Sequence, residues 1–347
     1  MEHDRTGPRL PQARGPLSAA VRACLLGTAP PPAPRAADDA DPYGDDLQLA
    51  LYLCYELHYR GFAGVFAGLE WDPGLLAARA ALEQRFLSAL RAGTTVHAGV
   101  ESAVEDLLAE PADATGVSHF LRDEGELWQL REYAAQRSLY HLKEADPHAF
   151  VLPRLHGRAK AAMAAVEFDE YGGGRPERVH ARLFADLMSD LGLDPTYGRY
   201  LDAVAAPMLA VVNLMSLFGL HRALRGALVG HFAAVEITSS PGSRRLAEAM
   251  RRTGAGPAAE HFYDEHVEAD AVHEQIVRKD VIGGLLEDEP ELEADVVFGI
   301  DATGHVEDLL AAHLLEAWRS GESSLRGPPP RRTECPYFMI PGELVRT

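Results

Sequence analysis

The chain has 347 residues, 47% of them hydrophobic and 24% charged, a balance found in folded globular proteins and not in disordered, collagen-like or membrane-spanning ones. Asp and Glu number 52 against 33 Lys and Arg, a formal charge of −19; such a surface repels phosphate backbones and anionic bilayers, so neither nucleic acid nor membrane is expected as a partner. Three scattered cysteines, Cys24, Cys54 and Cys335, rule out a disulfide framework and a CxxC zinc site, and with no secretory h-region and no run of about 18 apolar residues a cytoplasmic location is expected.

In chain order, residues 1–41 are rich in Pro, Ala and Arg and read as a flexible N-terminal arm, with a short helix near Leu17–Leu26. Residues 42–116 read as an N-terminal helical extension. One helix opens on the acidic pair Asp45–Asp46, a second follows Asp72-Pro73-Gly74, and a third falls within 97–116. The main domain is placed over 117–322. Its first helix runs from Ser118 to Asp146, its second from Leu152-Pro153 to the Gly172–Gly174 turn, and its third carries Pro176 in the first turn. The segment from Pro195 to Ser239 reads as one very apolar helix or a kinked pair. A short helix (SRRLAEAMRRTGAG), a long one (AEHFYDEHVEADAVHEQIVRKDVIGGLL) and a closing one from Val296 complete the domain, and 323–347 is an extended tail. The nearest approaches to a strand are VLP at 151–153 and DVVFGI at 295–300, both short, and there is no repeat. The expected fold class is therefore all-α, a bundle of helices burying one another's apolar stripes.

Two segments carry chemistry. Glu177 and His180 stand three apart, and His266, Asp270 and His273 stand at i, i+4 and i+7, within about 60° of arc on one helix face at ~100° per residue. Each segment thus contains a carboxylate-x-x-His pair. Two such pairs on facing helices supply oxygen and nitrogen ligands to a pair of metals, and imidazole with carboxylate suits iron that meets O₂. The bland alternative for 266–273 is a satisfied core His–Asp pair. Glu144 extends a helical stripe with Gln136 and Tyr140, and Glu170 ends an apolar helix ten residues before His180. Glu236 lies in the apolar GHFAAVEITSS and must be paired, protonated or metal-bound. Arg222 and Arg225 interrupt an apolar stretch. They form either a surface turn or a recognition site for a substrate carboxylate.

The stretches YHLKEADPH, EFDEYGGGRPERVH, VGHFAAVEITSS and FYDEHVEADAVHE resemble the haem-oxygenase-like di-iron oxidases, also called iron-containing redox enzymes, over roughly Asp45 to Ser320. The chain is especially similar to the central domain of an N-oxygenating member that hydroxylates guanidine nitrogens. The resemblance implies a haem-oxygenase-like bundle that binds two Fe(II)/Fe(III) ions in place of haem. It implies Glu144, Glu177, His180, His266, Asp270 and His273 as the six ligands, with Glu170 as an extra carboxylate associated with N-oxygenation. Glu170, Tyr140 and Arg222 are the expected catalytic residues. Also implied are O₂ as co-substrate, activated through a peroxo-diferric intermediate, and an external electron donor of unknown identity. The expected reaction is N-oxygenation of a small amine or amino-acid-derived substrate in biosynthesis, with a homodimer as the expected assembly. The alternatives are a di-iron desaturase or C–C lyase acting on an aliphatic acid, and a non-catalytic metal-binding helical protein.

Overall fold

In the computed structural model, which describes residues 7–94, 97–110 and 114–327, every regular element is helical and no strand occurs among the described residues. The α-helices are α1 (Pro16–Leu25), α2 (Asp45–Glu56), α3 (Pro73–Gly93), α4 (Val100–Leu108), α5 (Val117–Asp123), α6 (Leu127–His141), α7 (Asp146–Ala149), α8 (Gly157–Glu170), α9 (His180–Asp190), α10 (Ala206–Leu220), α11 (Arg225–Thr253), α12 (Pro257–Ile276), α13 (Gly283–Asp288) and α14 (Glu293–Arg319). The all-α expectation holds, and the DVVFGI segment is the start of α14.

The apolar segment 195–239 resolves into two helices. α10 is buried all round, from Met208 to Gly219, as a helix with no polar face must be. α11 leaves it at 108°. No single helix among the described residues is long and apolar enough to cross a membrane. Around α10 pack α2, α6, α11 and α14, while α11 lies along both α12 and α14. The α11–α14 crossing is set by two glycines. A Cβ on Gly230 would strike the Val296 carbonyl, and one on Gly299 would strike the backbone of Ala227. α12 is capped from outside, because Asp190 at the end of α9 accepts from the backbone N–H of Ala258 at 2.7 Å. That bond satisfies one of the orphan donors of the helix start.

Two expectations about organisation differ from the structure. Residues 7–41, read as part of a free arm, are pinned. Arg14 bonds the Asp45 carboxylate at 2.9 Å and the carbonyls of Leu201 and Val204 at 2.8 Å each. Asp46 of α2 accepts from the amides of Leu17 and Ser18, and Val21, Cys24 and Leu25 are buried. The short helix expected near Leu17–Leu26 is present as α1, and what the Pro-rich composition hid is its docking on α2. The tail likewise begins docked. Ser324 is buried and, with Ser323 and the Trp318 indole, donates to Glu132. Residues 328–347, the rest of the expected tail, and Cys335 lie outside the described residues.

Candidate metal centre

Five elements bring polar side chains to one buried point. Past the end of α6 the chain turns at Ala145, whose φ of 74° is the one positive value at a non-glycine residue among those described. That conformation costs about 1–3 kcal/mol and persists only where the surroundings impose it. It lets Glu144 turn inward, where it is buried. α8 ends on Glu170, with Glu167 one turn earlier on the same buried side. α9 starts at His180, α11 contributes Glu236, and α12 presents His266, Asp270 and His273 from its inner face. The 3.6-residue period predicted for α12 holds, and a π-helical segment at Val277–Ile282 follows directly after it.

These side chains form two adjoining groups of donors. In one, Glu144, His180 and His266 each offer an atom within 4.8 Å of the others; in the second, Glu170, Glu236, Asp270 and His273 do the same, and all seven residues are buried. The groups touch where His180 Nδ1 lies 2.7 Å from Glu170 Oε2. Glu170 Oε1 is 3.5 Å and Glu236 Oε2 3.2 Å from His273 Nδ1, while Glu144 Oε2 is 3.7 Å from His266 Nε2. Glu144 Oε2, His180 Nδ1, His266 Nε2 and Asp270 Oδ2 make no hydrogen bond. Buried polar atoms rarely go unsatisfied, and lone pairs crowded together without bonds are what a cation would resolve. The donor set therefore fits a bound metal.

The electrostatics agree. Burial opposes charge on His266, but Glu144, Asp270 and Glu170 outweigh it and raise its pKa. Burial is likewise overcome at His273 by Glu236, Glu170 and Asp270. Burial raises Glu236, with Asp270 and Glu170 adding to it against the pull of His273. Asp270 is also raised by burial, His266 opposing, whereas His141 and His266 overcome burial to hold Glu144 low. Protons on the imidazoles and on Glu236 thus occupy the place of cationic charge, and metal binding must displace them.

Of the residues expected here, Glu144, Glu170, His180, His266, Asp270 and His273 come together, and Glu177 and Arg222 do not. Glu177 is exposed in a one-turn 3₁₀ segment, Pro176–Arg178, which Val179 separates from α9 with an extended ψ of 126°. Glu177 and His180 therefore never share a helix face. Arg222 is exposed in the turn between α10 and α11, the surface-turn alternative for that residue. Glu236, an acid without an assigned place in the sequence, is buried in the second donor group, 3.2 Å from His273. Glu167 went unnoticed. It is buried, neither of its oxygens has a partner, and burial with Glu170 and Glu236 nearby pushes its pKa up to about 9. Its signal, an acid one helical turn before Glu170, resembles an ordinary solvated face.

A cavity of about 410 Å³ opens beside the first group, lined by Glu144 and His266 at one end and by Met215, Val235, Leu246, Phe262, Leu310 and Leu314 along its walls. Arg137, held by Glu307 through bonds of 2.8 and 2.6 Å, and Asp308 supply its charged lining. Tyr140, buried, lines this cavity and also a second one of about 20 Å³ against both donor groups.

The sequence pattern of the iron-containing redox enzymes matches residues 131–308, just over half of the chain and a stretch holding all seven donors. The chain belongs to that family. No curated protein matches it. As an iron-containing redox enzyme it is an oxidoreductase, and the all-oxygen-and-nitrogen donor set is one that iron accepts. Both described cysteines, Cys24 and Cys54, lie in α1 and α2, outside the matched stretch.

Proposed function

We propose that this iron-containing redox enzyme holds two iron ions and uses O₂ and an external electron donor to oxygenate the nitrogen of a small amine or amino-acid-derived substrate. Glu144, His180 and His266 hold one ion; Glu236, Asp270 and His273 hold the other; and Glu170, in reach of both groups, lies between them. The observation that carries this reading is the pair of adjoining buried donor groups with four unbonded donor atoms. When bound, iron supplies the redox chemistry and the binding of O₂.

The chain's own residues do the rest. The apolar walls of the larger cavity exclude water and seat the substrate body, with its reacting end at Glu144 and His266. Tyr140 separates substrate from the smaller cavity. Burial and the surrounding carboxylates Glu144, Glu170 and Glu236 hold its pKa well above the ordinary value, so it stays a hydrogen-bond donor. Apart from the metal ligands, the charged lining carries two acids, Glu307 and Asp308, against Arg137. That balance favours an amine over a free carboxylate. Four acids, Glu144, Glu170, Glu236 and Asp270, stand with three imidazoles; that is one carboxylate more than a set of six ligands needs, and the resemblance associates such an extra carboxylate with N-oxygenation.

The second reading, a desaturase or C–C lyase acting on an aliphatic acid, draws on the apolar walls of the same cavity. Offering Fe(II)-loaded protein O₂, reductant and panels of amines and aliphatic acids separates the two. An amine is expected to accelerate O₂ uptake and to return a product one oxygen heavier with an N–O bond. A product lighter by two hydrogens or shorter by carbon, formed only from acids, contradicts it.

A further inference from the structure

Two buried histidines outside the donor groups form a chain whose proton positions are fixed by counting donors. Thr303 on α14 donates its hydroxyl proton to the Gly299 carbonyl at 2.7 Å. A hydroxyl has one proton, so the 2.8 Å contact between Thr303 Oγ1 and His231 Nδ1 is donated by the imidazole. Burial drives the pKa of both His231 and His148 down to about 3, so each ring carries one proton. His231 Nε2 is then bare and accepts from His148 Nε2–H at 3.1 Å. That leaves His148 Nδ1 with an unshared lone pair. His148 is on α7, which follows the strained turn at Ala145, and it lines the cavity of about 20 Å³ together with Tyr140, Glu144, Glu170, Glu236 and Asp270. That volume holds one molecule of water size, and the polar walls supply the two to four partners such a molecule needs.

We infer that this cavity is a seat for a single water-sized O–H or N–H donor beside the metal centre, with His148 Nδ1 as its hydrogen-bond acceptor and His231 and Thr303 as the residues that fix the tautomer of His148. A molecule that donates to His148 keeps its own lone pairs free for a cation that the two groups would hold. The lock therefore orients it as well as holding it. A protonated His148 would present a donor there instead and turn the bound molecule round. The inference rests on the two-metal reading for what the seat adjoins, but the tautomers are a property of the metal-free chain.

Two measurements test it. Long-range nitrogen–proton NMR on the full metal-free chain with nitrogen-15-labelled histidine is expected to show His231 protonated at Nδ1 and His148 at Nε2. The opposite tautomers, or an imidazolium at either residue at pH 7, overturn the lock. With Mn(II) as the probe metal and water as the probe ligand, the water-proton relaxation enhancement per bound Mn(II) is expected to fall in His148→Phe and in Thr303→Val. It should return in Thr303→Ser, which restores the hydroxyl. Unchanged relaxation in His148→Phe overturns the seat, and a loss in Thr303→Val that Thr303→Ser leaves in place overturns the positioning role. If the chain takes up no Mn(II), the two-metal reading fails and the seat falls with it, while the tautomer spectra still decide the lock.

Discussion

Glu236 and Glu177 show how much of a site depends on a single backbone torsion. Both are glutamates near helix starts or within helical patterns, yet one is buried at 3.2 Å from His273 and the other is exposed. Replacing Glu236 by Ala is expected to weaken metal binding at its group by at least the ~10–100-fold that follows loss of even an outer partner, measured by Co(II) titration of the metal-free chain. Glu177→Gln is expected to leave the titration unchanged. Equal effects of the two substitutions contradict the assignment. The residues of α12 were legible because i, i+4, i+7 spacing on an apolar face survives in any helix. The place of Glu236 beside His273 was not legible, since sequence shows that an isolated buried acid needs a partner but not which one. His148 and His231 were missed for a related reason, as each is a single polar residue whose partner is distant in sequence, and Glu167 was missed because a lone acid on a helix resembles a solvated one.

At the scale of elements, the register of the bundle was readable and its breaks were not. Pro176 signalled a helix start, but α9 begins four residues later because the chain passes through a 3₁₀ turn and an extended Val179. The helix near Leu17–Leu26 was read from its own residues, whereas its attachment through Arg14 to Leu201 and Val204 is a long-range fact. Glycines within helices divide into two kinds with opposite expectations. Gly299 sits where α14 meets α11 at backbone distance, one turn before Thr303. Gly299→Ala is therefore expected to cost about 1–3 kcal/mol or more by overpacking. Gly242 lines the larger cavity with no atom near an added Cβ, so Gly242→Ala is expected to stabilise α11 by about 0.5–1 kcal/mol. Chemical denaturation of both variants checks the pair; a destabilised Gly242→Ala beside a neutral Gly299→Ala contradicts the packing described.

For the whole molecule, the acid-rich centre ties folding to pH and metal. In the metal-free chain His266 and His273 have pKa values raised above 6.5, and Glu236 and Glu167 above 4.5, the last to about 9. The folded chain then binds more protons than the unfolded one between these limits, and stability falls as pH rises. For the imidazoles, the contribution is complete below pH 6.5 and disappears as pH passes their raised folded values. Glu144, held low by His141 and His266, acts in the opposite sense and only in acid. Burial lowers His148 and His231 to about 3, which sets them against this trend up to about their unfolded value, so thermal unfolding of the metal-free chain is expected to show a falling Tm between pH 7 and pH 9. Bound divalent metal should flatten that slope, since it replaces the same protons. A metal-free Tm that rises over this range contradicts the charge arrangement.

Seven buried donors are proposed to hold two irons between them. Anaerobic Fe(II) loading of the full chain, with desalting and measurement of retained iron, tests it most directly. Two irons per chain are expected, falling to one or fewer both in His180→Ala, which opens the first group, and in Asp270→Ala, which opens the second. One iron or none in the parent chain, or two retained in both variants, would mean that the seven donors do not hold two irons.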